Sequence, residues 1–232
     1  MEVSILIFFM NPSLVMILDT CSFRNLFDIR LKNGESLLLK LLDFCEVCIP
    51  AAVKEEILED IKKGEFASSK DEEEEVRMVL KDARVLRFYE IEKECYNVLK
   101  RTDVCVQGIR TKADRECLIL ALQLSRYDEY KLRNICLVTD DTKLYDIARN
   151  IFDAQFIGKT CLTCHILIFL SVRRFFKITK SDLFDILTIL SNIYHEEVKI
   201  AEIQKLKSII QKIICPYNCK FYPKCTIFTR EP

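Results

Sequence analysis

The chain has 232 residues, half of them hydrophobic, and its 35 basic side chains are balanced by 35 acidic ones. That balance excludes a general polycation, so any nucleic-acid binding must come from a local patch. Four glycines, five prolines and no tryptophan argue against a turn-rich all-β fold and for long helices.

Twelve cysteines are present, and Cys45, Cys117 and Cys136 each sit singly in apolar surroundings. Reduced, buried thiols in a cytoplasmic protein are the expectation, and no charged leader opens the sequence. The apolar stretches at 3–10 and 161–172 are shorter than the roughly 20 residues that a spanning helix needs, so no membrane partner is expected. Residues 1–12 read either as an extra strand or as an over-long start.

That strand is SLVMILD (13–19), a continuous apolar run ending in Asp19, as in a parallel sheet buried on both faces. Helical material follows at 23–44, broken near Gly34. CEVCIP (45–50) reads as a second strand stopped by Pro50, and 51–64 as a helix ending at Gly64, with Val53, Ile57 and Ile61 on one face. An acidic first turn opens the next helix near residue 70, and RVLRFYEI (84–91) reads as a third strand. Residues 92–102 are expected to be helical. A clear helix covers 111–130, followed by strand four at ICLVTD (135–140), a helix over 142–153, and a short fifth strand at AQFIG (154–158). From about 159 the pattern is helical, and the last segment, 215–232, is irregular and cysteine-rich. Strands alternating with helices predict a doubly wound, mostly parallel α/β sheet.

Ligands of such sheets bind beyond the carboxyl ends of the strands. Asp19 ends strand one there, and the pair Asp140–Asp141 ends strand four. Glu56 borders the buried stripe of its helix, and Asp114 stands four residues before Leu118 and seven before Ala121, along a packed face. Four converging carboxylates repel one another unless a divalent cation joins them, and oxygen-only ligation suits Mg²⁺ or Mn²⁺.

These residues resemble the motifs of PIN-domain ribonucleases. The resemblance rests on Asp19-Thr20 in MILDTCSF, on Glu56 three places after a Val, on Asp114 seven before Ala121, and on Thr139-x-Asp141 in LVTDDTKLYDIA. It runs over roughly 13–195 and implies a three-layer α/β/α sandwich with a central, mostly parallel sheet, plus a helical, cysteine-rich extension over 196–232. It implies a Mg²⁺- or Mn²⁺-dependent endoribonuclease whose catalytic acids are Asp19, Glu56, Asp114 and Asp141. Asp19, Asp114 and Asp141 would hold the metal, and Thr20, Thr139 and Asp140 would assist. Products would carry 5′-phosphate and 3′-hydroxyl ends. RNA is the implied substrate. An antitoxin-like or RNA-processing protein is a candidate partner, and a second copy of the chain another. Cys21 stands where the family commonly has a small polar residue.

Each acid also has a plainer explanation. Thr111 and Asp114 fit a capping box, Asp140 or Asp141 fits a helix N-cap, and Glu56 lies in an acid-rich helix whose charges are ordinarily solvated. A PIN-like scaffold that binds RNA or protein without cutting is the alternative reading. A haloacid-dehalogenase-type site would want Asp at position 21, which is Cys. A receiver domain would want its acid pair on strand one.

Among the remaining motifs, Cys161-x-x-Cys164-His165 opens an apolar helix and reads as buried thiols. Cys215, Cys219 and Cys225 are a candidate zinc set, with His195 or a distant Cys as the fourth ligand. Arg110, Lys112, Arg115, Arg173, Arg174 and Lys177 are candidates for RNA phosphates, and solvated surface charge is the plainer account of each.

Overall fold

A computed structural model of the chain describes residues 14–42, 45–66, 69–81, 86–89, 109, 111–130, 134–172 and 180–213. The expected helix at 92–102, the tail cysteines, residues 1–12, and Arg110, Arg173, Arg174 and Lys177 lie outside them. The described residues fall into two compact units, a larger one of 14–30 and 34–163 and a smaller one of 31–33 and 164–213.

The larger unit is built on five parallel strands: β1 (Leu14–Leu18), β2 (Glu46–Pro50), β3 (Leu86–Tyr89), β4 (Asn134–Val138) and β5 (Gly158–Cys161), in the order β3-β2-β1-β4-β5. Every residue of β1 is buried, as its unbroken apolar run requires of a central strand. β1 pairs with β4 through five consecutive Cα partners, from Leu14 opposite Asn134 to Leu18 opposite Val138. The chain leaves β1 towards β2 on one side and returns on the other side at β4. The gap beyond the ends of β1 and β4 is therefore the topological switch point of the sheet, where open parallel sheets bind ligands.

The connecting helices start where the sequence supplies caps. Helix α1 (Thr20–Asp28) is capped by Asp19, and a short helix α2 (Leu37–Leu42) follows. Helix α3 (Ala51–Lys63) stops at Gly64, whose φ of 73° is the left-handed conformation that glycine adopts without strain. Ser69 caps α4 (Lys70–Val79), whose first turn holds Asp71, Glu72 and Glu73 against the positive end of the helix. Helix α5 (Lys112–Arg126) opens with a capping box and buries Leu118, Ala121 and Leu122 against β1, β2 and β4. Helix α6 (Thr142–Gln155) is capped by Asp141 and packs on β5.

The fifth strand departs from expectation. Ala154 and Gln155 finish α6, Phe156 closes it, and the strand runs from Gly158 to Cys161 instead of over 154–158. The pairing needs Gly158 at its first position, because a Cβ there would stand 2.0 Å from the Ile135 carbonyl oxygen.

In the smaller unit, α7 (Thr163–Val172) enters from the larger one and is followed by α8 (Lys180–Ile193) and α9 (Glu197–Ile213). Cys161 and Cys164 are both buried. His165 of α7 is buried too, and its Nε2 lies 3.2 Å from Glu202 Oε1 on α9. Among the described residues no helix is long and apolar enough to cross a membrane.

Two stability outcomes follow from these features. Phe156 has a φ of 54° and is 94 % exposed, so its ring contributes little packing while its backbone is strained. Phe156→Gly relieves a left-handed cost of about 1–2 kcal/mol against a glycine entropy cost of about 0.5–1 kcal/mol, and a slightly higher melting temperature is expected. An unchanged or lower one would refute the strain. In the smaller unit the bond from His165 holds the Glu202 carboxyl down to about 2, against the opposing effect of burial. A depressed carboxyl stabilises the fold above its ordinary value of 4.5 and loses that contribution as pH falls through about 2. Acid titration of helix content is expected to show this loss in the wild type and a flatter response in Glu202→Gln.

Candidate active site

The in-register pairing of β1 with β4 sets Asp19 opposite Thr139, just past the strand ends. Asp19 is 3 % exposed, and protein donors take both of its oxygens. Oδ1 accepts the Ser22 N–H at 2.7 Å, and Oδ2 accepts the Thr139 hydroxyl at 2.5 Å. Burial pushes the Asp19 carboxyl up to about 7, the Thr139 and Ser22 bonds oppose the rise, and the Asp140 charge adds to it. The Thr139 hydroxyl also accepts the Asp141 N–H at 3.1 Å, so one oxygen joins both proposed acids.

The adjacent acids of 140–141 have different surroundings. The Asp140 carboxylate is buried and accepts three bonds: the Thr163 N–H at 2.9 Å, the Thr163 hydroxyl at 2.5 Å and the Asn25 amide at 2.7 Å. It ties the β4 loop to α1 and to the start of α7. Asp141 is exposed, and its Oδ1 caps α6 by accepting the Leu144 N–H at 2.8 Å. Its Oδ2 has no hydrogen-bond partner among the described residues.

Glu56 and Asp114 come from α3 and α5, which pack together. Glu56 Oε2 accepts the Thr20 hydroxyl at 2.6 Å, which links it to the residue after Asp19. Asp114 Oδ2 reaches back to the Thr111 N–H at 3.4 Å while the Thr111 hydroxyl accepts the Asp114 N–H at 3.0 Å. Both acids are half-buried. Cys117, one turn after Asp114 on α5, is buried with its Sγ 3.9 Å from the carbonyl oxygen of Leu18, the residue before Asp19. Burial raises its thiol first, and the charges of Asp19, Asp114, Glu116 and Glu56 all add to the rise. Cys21, exposed as a residue, has its thiol pushed up to about 12 by desolvation and then by Asp19, Asp140 and Asp141, with Arg24 opposing. A thiol held that high is a poor nucleophile.

All seven sequence candidates thus lie at or next to the carboxyl ends of β1 and β4 or on the helices beside them. Asp19 and Asp141 each also cap a helix, and Asp114 completes the capping box that Thr111 begins. Ser22, Asn25, Thr163 and Glu116 were missed, and each holds a candidate acid or its helix. Of the proposed phosphate contacts, Lys112 is paired with Glu55 at 3.5 Å and Glu116 at 3.7 Å. The oxygen-only donors match the chemistry that Mg²⁺ and Mn²⁺ require. Among the described residues, however, no three His, Cys, Asp or Glu side chains are set to hold a metal ion. The chain matches no protein-family model and no curated protein.

The buried Asp19 gives a test that needs no substrate. Its carboxyl is raised from 3.8 to about 7 on folding, so the folded state binds the proton more tightly and the wild type loses stability as pH rises across that window. Asp19→Asn removes the charge and keeps the shape. In metal-free buffer its melting temperature is expected to gain on the wild type between pH 4 and pH 8, by about 2–4 °C per kcal/mol for a chain of this size. A difference that stays constant across this pH range would show that Asp19 is not desolvated.

Proposed function

We propose that the chain is a PIN-like, divalent-metal-dependent endoribonuclease that hydrolyses RNA phosphodiester bonds. The observation that carries this reading is the Thr139 hydroxyl, which joins Asp19 and Asp141 at the switch point of the sheet. The Thr20 bond adds Glu56, and Asp114 stands in the first turn of α5, which packs on α3 and on β1. In this reading the domain spans 13–195, with 196–232 as a helical, cysteine-rich extension and Cys215, Cys219 and Cys225 as a zinc set.

Asp19, Asp114 and Asp141 would hold Mg²⁺ or Mn²⁺. The metal would supply an activated water and charge stabilisation at the phosphate. Thr139 keeps Asp19 and Asp141 in register, and Thr20 orients Glu56. Asp140 holds the loop and presents no oxygen without a protein donor. The reading also carries an RNA-processing or antitoxin-like protein, or a second copy of the chain, as partner.

Two observations favour the non-cleaving scaffold instead. Both Asp19 oxygens are engaged by protein donors, and no metal-ready group of three acids stands among the described residues. Incubation of structured and single-stranded RNAs with Mn²⁺ or Mg²⁺ separates the two. The nuclease reading expects cleavage by the wild type and at least about a hundredfold loss in Asp19→Asn, in line with removal of a charge-stabilising group. RNA binding without cleavage would favour the scaffold. Equal cleavage by both proteins would show that the activity comes from elsewhere.

A further inference from the structure

We infer that Glu116 is a positioning residue for the carboxylate site, holding α3 and its Glu56 against α5 and its Asp114. The inference rests on the nuclease reading.

Helix α3 begins without a cap of its own. Pro50 occupies the cap position and makes no side-chain bond there. The first amides of a helix need acceptors, and the helix end favours negative charge. Glu116 supplies both from 64 residues away: its Oε2 accepts the Ala52 N–H at 3.0 Å. Its side chain is only 12 % exposed, and Lys112 stands 3.7 Å from its other oxygen. The contact is half-buried, unlike that of a fully solvated surface acid.

The contact connects two candidate acids. Glu56 lies one helical turn after Ala52, so a shift in the first turn of α3 moves its carboxylate. Asp114 lies two residues before Glu116 on α5. Ala52 to Glu116 is thus a short, half-buried hydrogen bond that ties the start of one acid-bearing helix to the other, beside the longer, exposed pair of Lys112 and Glu55. Glu116 acts through Ala52 and touches no reacting atom.

Reach and charge can be separated by two variants. Glu116→Gln keeps the length and a carbonyl acceptor but loses the charge. Glu116→Asp keeps the charge but is a methylene short. Mn²⁺ binding, measured by electron paramagnetic resonance, is read beside RNA cleavage, well below the melting point of each full-length protein. Glu116→Asp is expected to weaken Mn²⁺ binding about 10-fold and to lower kcat with KM for RNA little changed, as loss of an orienting partner does. Glu116→Gln is expected to stay within about threefold of the wild type in both. The reverse order, with Gln severely impaired and Asp mild, overturns the inference and makes Glu116 a ligand. Wild-type values in Glu116→Asp overturn it as well. A wild type that binds no Mn²⁺ and cuts no RNA overturns the nuclease reading and the inference with it. A wild type that does both, matched by Glu116→Asp, overturns the inference alone.

Discussion

The parallel pairing of β1 with β4 is the constraint on which the rest of the larger unit depends. Side chains alternate along a strand, so a slip of one residue would exchange the two buried faces of β1 and force its close-packed apolar side chains into sites shaped for others. With Leu18 fixed opposite Val138, Asp19 and Thr139 meet without further adjustment. The Asp19 N–H donates to the Val138 carbonyl at 3.3 Å and the Thr139 N–H to the Cys161 carbonyl at 2.9 Å, so the backbone ladder continues into the site. The apolar core thereby sets the positions of the polar groups.

Those polar groups carry a built-in conflict. A desolvated carboxylate next to a second one is unfavourable, and the hydrogen bonds to Asp19 offset that only in part. The fold limits the damage by giving the acids structural duties. Asp19 and Asp141 satisfy helix amides that would otherwise lack acceptors, and Asp114 accepts the N–H of the cap residue Thr111. Asp140 binds donors from α1 and from the start of α7. The paired carboxylates at 140–141 divide the work: the buried one fixes the loop, and the exposed one caps a helix with one oxygen, its other oxygen meeting no donor among the described residues.

Much of this was legible in the sequence, because strands buried on both faces leave an unbroken apolar signature. Val47, Cys48 and Ile49, and Ile135 to Val138, fall inside the expected runs. The acids ending them could be located by the same logic. The fifth strand was misplaced for a local reason. Ile157 and Gly158 look like the end of an apolar run, whereas Gly158 begins the strand because only glycine fits beside the Ile135 carbonyl. Asn25, Thr163 and Glu116 could not be found from spacing. Their bonds span 115, 23 and 64 residues, and periodicity carries no information across such distances. The capping box at Thr111 is local, so it was visible beforehand.

The bond between Thr139 and Asp19 spans 120 residues. During synthesis β1 emerges long before its central neighbour β4 does. A growing chain can form the turns of α1 and α3 early, since their contacts are local. It cannot assemble the carboxylate cluster until β4 has left the ribosome and closed that long loop. A truncated product ending before residue 134 therefore contains Asp19, Glu56 and Asp114 but exposes the inner edge of β1 where β4 should pair, and an unpaired apolar strand edge favours aggregation.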